Sequence, residues 1–214
     1  MNYTDNSKDT FNFFKKLSRG SKHSGKLPNQ SNQVILSAGD LEEIQTSTPY
    51  FSPTRTNILF LSKRGMSRAP LAREVMRKLL STSEHFGSIR PSARGISDAY
   101  DMCPFDKRMI QFAHTMGYEL HGNSRCVNTS ELATADLIVP LDPESKKFTQ
   151  SRTYYIKGEV ISFVSSDGQT SPFYISDPFD SEESLDAKQR YNFIIDSVVD
   201  GCKQLLHTLA SLNS

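Results

Sequence analysis

The sequence predicts a three-layer α/β protein, with a doubly wound, mostly parallel sheet of about four strands and helices on both faces. Two observations predict this class. Short apolar runs alternate along the chain with longer segments whose apolar residues recur at helical spacing. One of these runs, "DLIVPLD" from Asp136 to Asp142, is a compact apolar stretch bounded by acids, as expected for a strand that is buried on both faces.

The first strand and helix lie in "NILFLSKRGMSRAPLAREVMRKLL", Asn57 to Leu80. The apolar run Ile58 to Leu61 predicts the strand, and Pro70 is well placed to open the helix. The apolar residues of this helix form one stripe: Leu71, Val75, Met76, Leu79 and Leu80. This segment is therefore predicted to be a β-turn-α unit.

The later elements continue the alternation. The segment "SIRPSARG" is the next predicted strand, and a helix follows that is opened by Pro104 and Asp106 and stopped by Gly117. Its predicted buried face is Met109, Ile110, Ala113 and Met116. Another apolar run spans Val160 to Val164, and the last helix is predicted from about Leu185 to Leu209. The apolar face of that helix is Ile194, Ile195, Val198, Val199, Cys202, Leu205 and Leu206.

Composition divides the chain into a tail with a linker, residues 1–55, and a globular domain, residues 56–214. Met1 to Gln33 is polar and basic, and we expect it to be disordered because it has too few apolar residues to bury. Asp40 is a candidate cap for a short helix, Leu41 to Thr46, ahead of the linker "STPYFSPTRT".

The tail has one apolar cluster, which lies among lysines and arginines: Phe11, Phe13, Phe14 and Leu17. Two interpretations are open. The cluster can contact a membrane surface or an acidic protein partner, or the whole tail can be a solvated segment.

The overall charge gives no reason to expect a nucleic-acid partner, because 25 Lys and Arg balance 24 Asp and Glu. We find neither an apolar run long enough for a membrane span nor a signal peptide, so we expect a cytoplasmic protein. Cys103, Cys126 and Cys202 form no CxxC pair and are expected to be reduced thiols. We predict no metal and no cofactor.

The turn from Ser62 to Arg68 is the candidate site, because it follows a strand at the edge of the sheet where α/β proteins bind ligands. Its amides and the following helix N-terminus suit an anion, Arg68 offers a guanidinium fork, and Gly65 permits a left-handed backbone. Lys63 and Arg64 add charge at the rim. The predicted anion-binding residues are Lys63, Arg64, Gly65, Met66, Ser67 and Arg68.

The stretch "SKRGMSRAP" resembles the Cys-x5-Arg-Ser-Pro signature of the low-molecular-weight protein tyrosine phosphatases and their arsenate reductase relatives. Ser62 stands where that family has its nucleophilic cysteine, Arg68 matches the phosphate-binding arginine, and Pro70 matches the helix-opening proline. The segment "ISDPFD" is similar to the family's Asp-Pro-aromatic motif, with Asp177 at the position of the general acid. "SARG" and "IVPLD" resemble two further segments, so the likeness runs from about Asn57 to Leu209.

The resemblance implies a pocket with Tyr100 and Phe179 as aromatic walls, but it also exposes departures from the family pattern. The family's supporting serine after the arginine is Ala69 here, its second loop cysteine is Ser67, and its second tyrosine after Asp-Pro is Asp180. A serine hydroxyl needs an adjacent base to act as a nucleophile, and no histidine lies in either motif.

The sequence therefore predicts an inactive or strongly impaired phosphatase-like protein that binds phosphate, sulfate or a phosphorylated ligand in a degenerate phosphate-binding loop. Two alternatives stay open. One is an active phosphatase captured as a Cys-to-Ser trap variant, and the other is a non-catalytic interaction module with a vestigial pocket.

Overall fold

The computed structural model describes residues 55–163, 173–179 and 186–213. These residues contain one sheet with the strand order β2-β1-β3-β4, in which every pairing is parallel. The strands are β1 (Thr56–Ser62), β2 (Ile89–Gly95), β3 (Leu137–Pro140) and β4 (Glu159–Val160). The predicted parallel α/β class is confirmed.

Helices cover both faces of this sheet. They are α1 (Arg68–Ser81), α2 (Lys107–Thr115), α3 (Thr129–Thr134), α4 (Pro143–Gln150) and α5 (Ala187–Asn213), with short 3-10 turns at Asp98–Tyr100 and Thr153–Tyr155. In β1, Ile58 and Phe60 face the larger core with α1 and α5, while Leu59 and Leu61 face a smaller core that includes Leu132 of α3. Alternate side chains of the strand thus enter two cores, which explains why its whole apolar run is buried.

Helix α1 begins at Arg68, so Pro70 lies in its first turn rather than at its first residue. A proline is tolerated there because the first backbone N–H groups of a helix have no intrahelical partner. The predicted stripe is confirmed: Leu71, Val75, Met76 and Leu80 are buried, and Leu79 packs partly buried against the same core.

Helix α2 is capped as predicted, because the Asp106 side chain accepts a hydrogen bond from the backbone N–H of Arg108. Met109 and Ala113 are buried, but Met116 is 38% exposed and its predicted place on the buried face is wrong. The helix ends at Thr115, so the backbone has left the helical path before Met116. Gly117 then supplies the predicted stop with a φ of 79°.

The last two elements differ from prediction in their bounds. The apolar run from Val160 is only partly strand, since β4 ends at Val160 and the buried Ile161 and Phe163 follow it. Helix α5 places the predicted apolar residues in or against the larger core. Val164 and the predicted helix start at Leu185 lie outside the described residues.

The tail, the candidate helix Leu41 to Thr46 and most of the linker also lie outside the described residues, as does Asp180. The division at residue 55 and the tail's partners therefore stay predictions. In the part of the chain that the structure describes, none of the helices combines the length and apolarity that crossing a membrane requires.

Candidate functional site

The candidate loop, residues 63–67, connects the end of β1 to the start of α1 at the carboxyl edge of the sheet. Two other segments reach the same edge. Gly95 ends β2 beside Ser62, and Asp142 follows β3 after Leu141, whose N–H donates to Leu61 O. The sheet therefore brings three sequence segments to its carboxyl edge, where the turn from Ser62 to Arg68 was predicted to lie.

The back of the loop is packed directly against the end of β2. Gly65 has a φ of 68°, and a Cβ built on it would lie 2.5 Å from Gly95 N. The Ser124 hydroxyl donates to Arg64 O at 2.8 Å and holds the same turn. A glycine is required at position 65 both by the left-handed backbone and by the close approach.

Ser62 is buried, with 1% of its surface exposed, at the position predicted for the nucleophile. Its Oγ accepts a hydrogen bond from the Gly65 N–H at 3.2 Å. Among the described residues, no histidine or carboxylate forms a hydrogen bond with this hydroxyl. His114 and His121 instead lie near Glu119 on the surface.

Arg68 is almost fully buried, and its guanidinium lies among carboxylates. Nη2 donates to Asp177 Oδ2 at 2.7 Å and lies 2.9 Å from Asp142 Oδ2, while Nη1 donates to Ile175 O at 2.7 Å. The fork predicted to hold an external anion is thus directed at two acids of the chain itself.

Asp142 is a site residue that the sequence prediction did not include. Its Oδ1 accepts from the Ser145 N–H at 2.7 Å as the cap of α4, and its Oδ2 accepts from the Lys63 N–H at 2.8 Å. One of the loop amides predicted to bind an anion therefore donates to a carboxylate. The available signal was the acid that ends the run "IVPLD" immediately before a helix-opening proline.

A further acid, Asp106, contacts the loop through Ser67 and Met66. Its Oδ2 accepts from Ser67 Oγ at 3.1 Å and from Tyr191 Oη at 2.7 Å, and its backbone N–H donates to Met66 O at 3.0 Å. Burial and the hydrogen bond to Asp106 raise the pKa of Tyr191. This network links the loop to α2 and α5, and the hydroxyl of Ser67 is directed into it.

Arg64 brings together the two predicted wall residues. Its Cζ lies 5.4 Å from the centroid of the Tyr100 ring and 4.8 Å from that of Phe179. Its Nη1 is 3.4 Å from Asp177 Oδ1, which also accepts from the Phe179 N–H at 3.1 Å. The structure therefore places Tyr100, Phe179 and Asp177 around one arginine of the loop.

Carboxylates of the described residues face the cationic side chains of the loop. Lys63 Nζ lies 3.2 Å from Glu144 Oε1 at the rim, and the two arginines face Asp142 and Asp177. The pKa of Glu144 is held below its usual value first by a hydrogen bond from its own backbone and then by Lys63. Within the described residues, each of the three cationic side chains of the loop thus faces at least one carboxylate, which offsets its positive charge.

Comparison with known proteins identifies the family and the fold. The family model for low molecular weight phosphotyrosine protein phosphatases matches residues 57–213. The chain belongs to that family. A sequence search found no match among curated proteins.

Several solved structures share the fold. A protein tyrosine phosphatase from Entamoeba histolytica, with Hepes in its active site, aligns with a TM-score of 0.63 and 20% identity over 73% of this chain and 97% of that one. Vibrio vulnificus Wzb in complex with benzylphosphonate has a TM-score of 0.58 and 17% identity, covering 72% of this chain and 99% of that one. The tyrosine phosphatase Wzb from Escherichia coli K30, in complex with sulphate, has a TM-score of 0.58 and 16% identity, with coverages of 72% and 99%.

Proposed function

We propose that this protein is a catalytically inactive member of its family, a pseudophosphatase, that binds phosphate or a phosphorylated ligand in the loop from Ser62 to Arg68. The observation that carries the proposal is the hydrogen bonding of Ser62. Its hydroxyl accepts a hydrogen bond from the Gly65 N–H, and among the described residues no histidine or carboxylate forms a hydrogen bond with it. A thiol, with a pKa of about 8.5, can be ionised by loop amides and a helix N-terminus, whereas a serine hydroxyl needs a general base.

The surroundings of Ser62 support loss of catalysis over an engineered single change. Ala69 is fully buried and has no hydroxyl that could donate to a thiolate, and Ser67 donates to Asp106 instead. Restoring a cysteine at position 62 would leave both of these differences in place. The trap interpretation predicts the opposite, namely that one substitution restores the enzyme.

Three features support retained anion binding. The loop leads into the N-terminus of α1, which favours negative charge. Arg68 already binds an oxyanion, the carboxylate of Asp177, at 2.7 Å. A doubly charged phosphate carries more charge than that carboxylate and can compete for the same guanidinium. Sulphate and benzylphosphonate complexes of the two Wzb proteins add support from within the family.

A second candidate is the non-catalytic interaction module, and the charge balance of the site favours it. If Asp142 and Asp177 neutralise Arg68 completely, no external anion binds and the pocket is vestigial. The two candidates differ in one measurable property, the saturable binding of a small oxyanion.

The catalytic half of the proposal is tested with the full chain and two substrates, p-nitrophenyl phosphate and acetyl phosphate, of which the second has no aryl group. We expect no turnover above background from the parent and little from Ser62→Cys. Turnover by the parent that Ser62→Ala abolishes would show that the protein is an enzyme. Full activity of Ser62→Cys would establish the trap interpretation.

The binding half is tested by titrating phosphate and sulfate while following amide chemical shifts. Arg68→Ala leaves the buried carboxylate of Asp142 without the guanidinium that faces it and leaves Asp177 only its longer contact with Arg64, so Arg68→Lys is the safer variant. Arg77→Lys, on the exposed side of α1, is its control. An ammonium cannot reproduce the guanidinium fork, and loss of a charge-assisted contact of about 1.5 to 3 kcal/mol predicts affinity at least roughly tenfold weaker. Absence of saturable binding by the parent at millimolar phosphate would replace this proposal with the interaction module.

A further inference from the structure

Arg64 occupies the space in which a planar ligand group would contact Tyr100 and Phe179. Its guanidinium lies 5.4 and 4.8 Å from the two ring centroids. Aromatic rings that stack or meet edge to face have centroids about 4.5 to 7 Å apart, so the guanidinium stands where a third ring would stand. Only 17% of the Arg64 side chain is exposed.

Several contacts keep Arg64 in this place. Its carbonyl oxygen accepts from Ser124 Oγ at 2.8 Å, and a Cβ on Gly95 would lie 2.8 Å from the same oxygen, so the backbone of Arg64 is closely enclosed. At the other end of the residue, Nη1 faces Asp177 Oδ1, and that carboxylate also binds Arg68 and the Phe179 N–H. The carboxylate of Asp177 thus contacts Arg64, the backbone of Phe179 and the guanidinium of Arg68.

We infer that Arg64 is a specificity-determining residue that excludes phosphate esters with an aryl group and leaves the loop open to small oxyanions. The inference rests on the proposed anion binding and names the ligand class. An aryl group must displace Arg64 from both rings and from Asp177, whereas inorganic phosphate, sulfate or methylphosphonate has no such group to accommodate. Tyr100 and Phe179 still face one space, but the guanidinium of Arg64 fills that space in place of an aryl group of a ligand.

The test compares methylphosphonate with benzylphosphonate on the full-length parent, on Arg64→Ala and on Arg77→Ala. The two probes share the phosphonate group and differ by the phenyl ring. Arg77→Ala removes the same charge from an exposed site on α1 and is the matched control. Because loss of the positive charge at position 64 weakens the binding of both phosphonates, the readout is the ratio of their two dissociation constants.

We expect the parent and Arg77→Ala to bind methylphosphonate at least tenfold more tightly than benzylphosphonate. In Arg64→Ala the preference disappears or reverses, because the phenyl ring can then contact Tyr100 and Phe179. A parent that binds both probes alike, or a ratio that Arg64→Ala does not change, overturns the inference and leaves the proposed anion binding intact.

The remaining outcomes separate the two proposals. If the parent binds neither probe but Arg64→Ala binds benzylphosphonate, Arg64 closes the pocket as inferred and the proposed anion binding by the parent is wrong. If neither protein binds either probe, both proposals are wrong. Thermal melting of each variant confirms that the compared proteins are folded.

Discussion

The carboxylate of Asp177 is predicted to compete with external anions, and Asp177→Asn removes its charge with little change of shape. Its Oδ2 accepts from Arg68 at 2.7 Å, and only 7% of its side chain is exposed. The Oδ1 atom accepts from the Phe179 N–H at 3.1 Å and lies 3.4 Å from Arg64 Nη1. Asparagine has a single amide oxygen, so it keeps the hydrogen bond to Arg68 only by giving up the one from Phe179. The substitution therefore removes the charge of Asp177 together with one of its two accepting oxygens.

The magnitude follows from the strength of that contact. A hydrogen bond to a charged partner contributes about 1.5 to 3 kcal/mol, roughly twice the value for a neutral pair. When the asparagine oxygen faces Arg68, replacing the carboxylate by an amide removes about half of this, about 0.75 to 1.5 kcal/mol, so phosphate and sulfate should bind about threefold to twelvefold more tightly. Asp142 still contacts Arg68 at 2.9 Å, so the gain is not larger.

The assay is a sulfate titration followed by amide chemical shifts, at constant ionic strength because surface charges are screened by salt. Asp200→Asn, on the exposed side of α5, changes the net charge equally and is the control. An affinity that stays unchanged or falls in Asp177→Asn would refute the reasoning. In that case the carboxylate does not compete with the anion for Arg68.

Three further predictions concern the fold. Gly65→Ala should lower the free energy of unfolding by more than about 2 kcal/mol, because the left-handed backbone is strained for alanine and the added Cβ meets Gly95; urea unfolding measures it. Burial raises the pKa of the Cys202 thiol, so its contribution to stability is complete below the unfolded pKa of about 8.5 and is lost as the pH rises above it. Between pH 7 and 10 the melting temperature of Cys202→Ala should therefore fall less than that of the parent. Deleting residues 1–55 should leave the melting temperature nearly unchanged, because so polar a segment contributes little to the core.

Each of these predictions has a control or a contradicting result. Gly87 has a φ of 83° and open space around it, so Gly87→Ala introduces backbone strain without a steric clash. It should therefore lower the free energy of unfolding by less than Gly65→Ala does. Equal pH slopes for the parent and Cys202→Ala would show that ionisation of this thiol does not limit stability. A drop of many degrees on removal of the tail would mean that the tail docks on the domain.

The parallel sheet and helices α1, α2 and α5 were predicted because their signals are local, whereas the short helices α3 and α4 were not predicted. The buried run of β1, the stripe of α1 and the Asp106 cap of α2 each depend on residues within a few positions of one another. Met116 shows the limit of this reasoning, since a periodic pattern does not say at which residue the helix stops. The family was also recognisable, because its motifs survive at both ends of the domain.

The position of the loop was predictable from the sequence, but its charge state was not. Arg64 was expected to add positive charge at a rim, yet it lies against Tyr100 and Phe179 and near an aspartate that is 113 residues away in the chain. Asp142, which is 79 residues from Lys63, accepts from a loop amide. No local pattern contains these pairings.

The sequence by itself determined the first three strands, the helices α1, α2 and α5, the family and the absence of a cysteine at position 62, since each is a matter of residue identity or short-range spacing. Only the tertiary structure decided which charges meet. The Coulomb energy of a pair depends on its separation in space and on its burial, and the sheet brings Asp142 and Asp177 within hydrogen-bonding distance of Arg68.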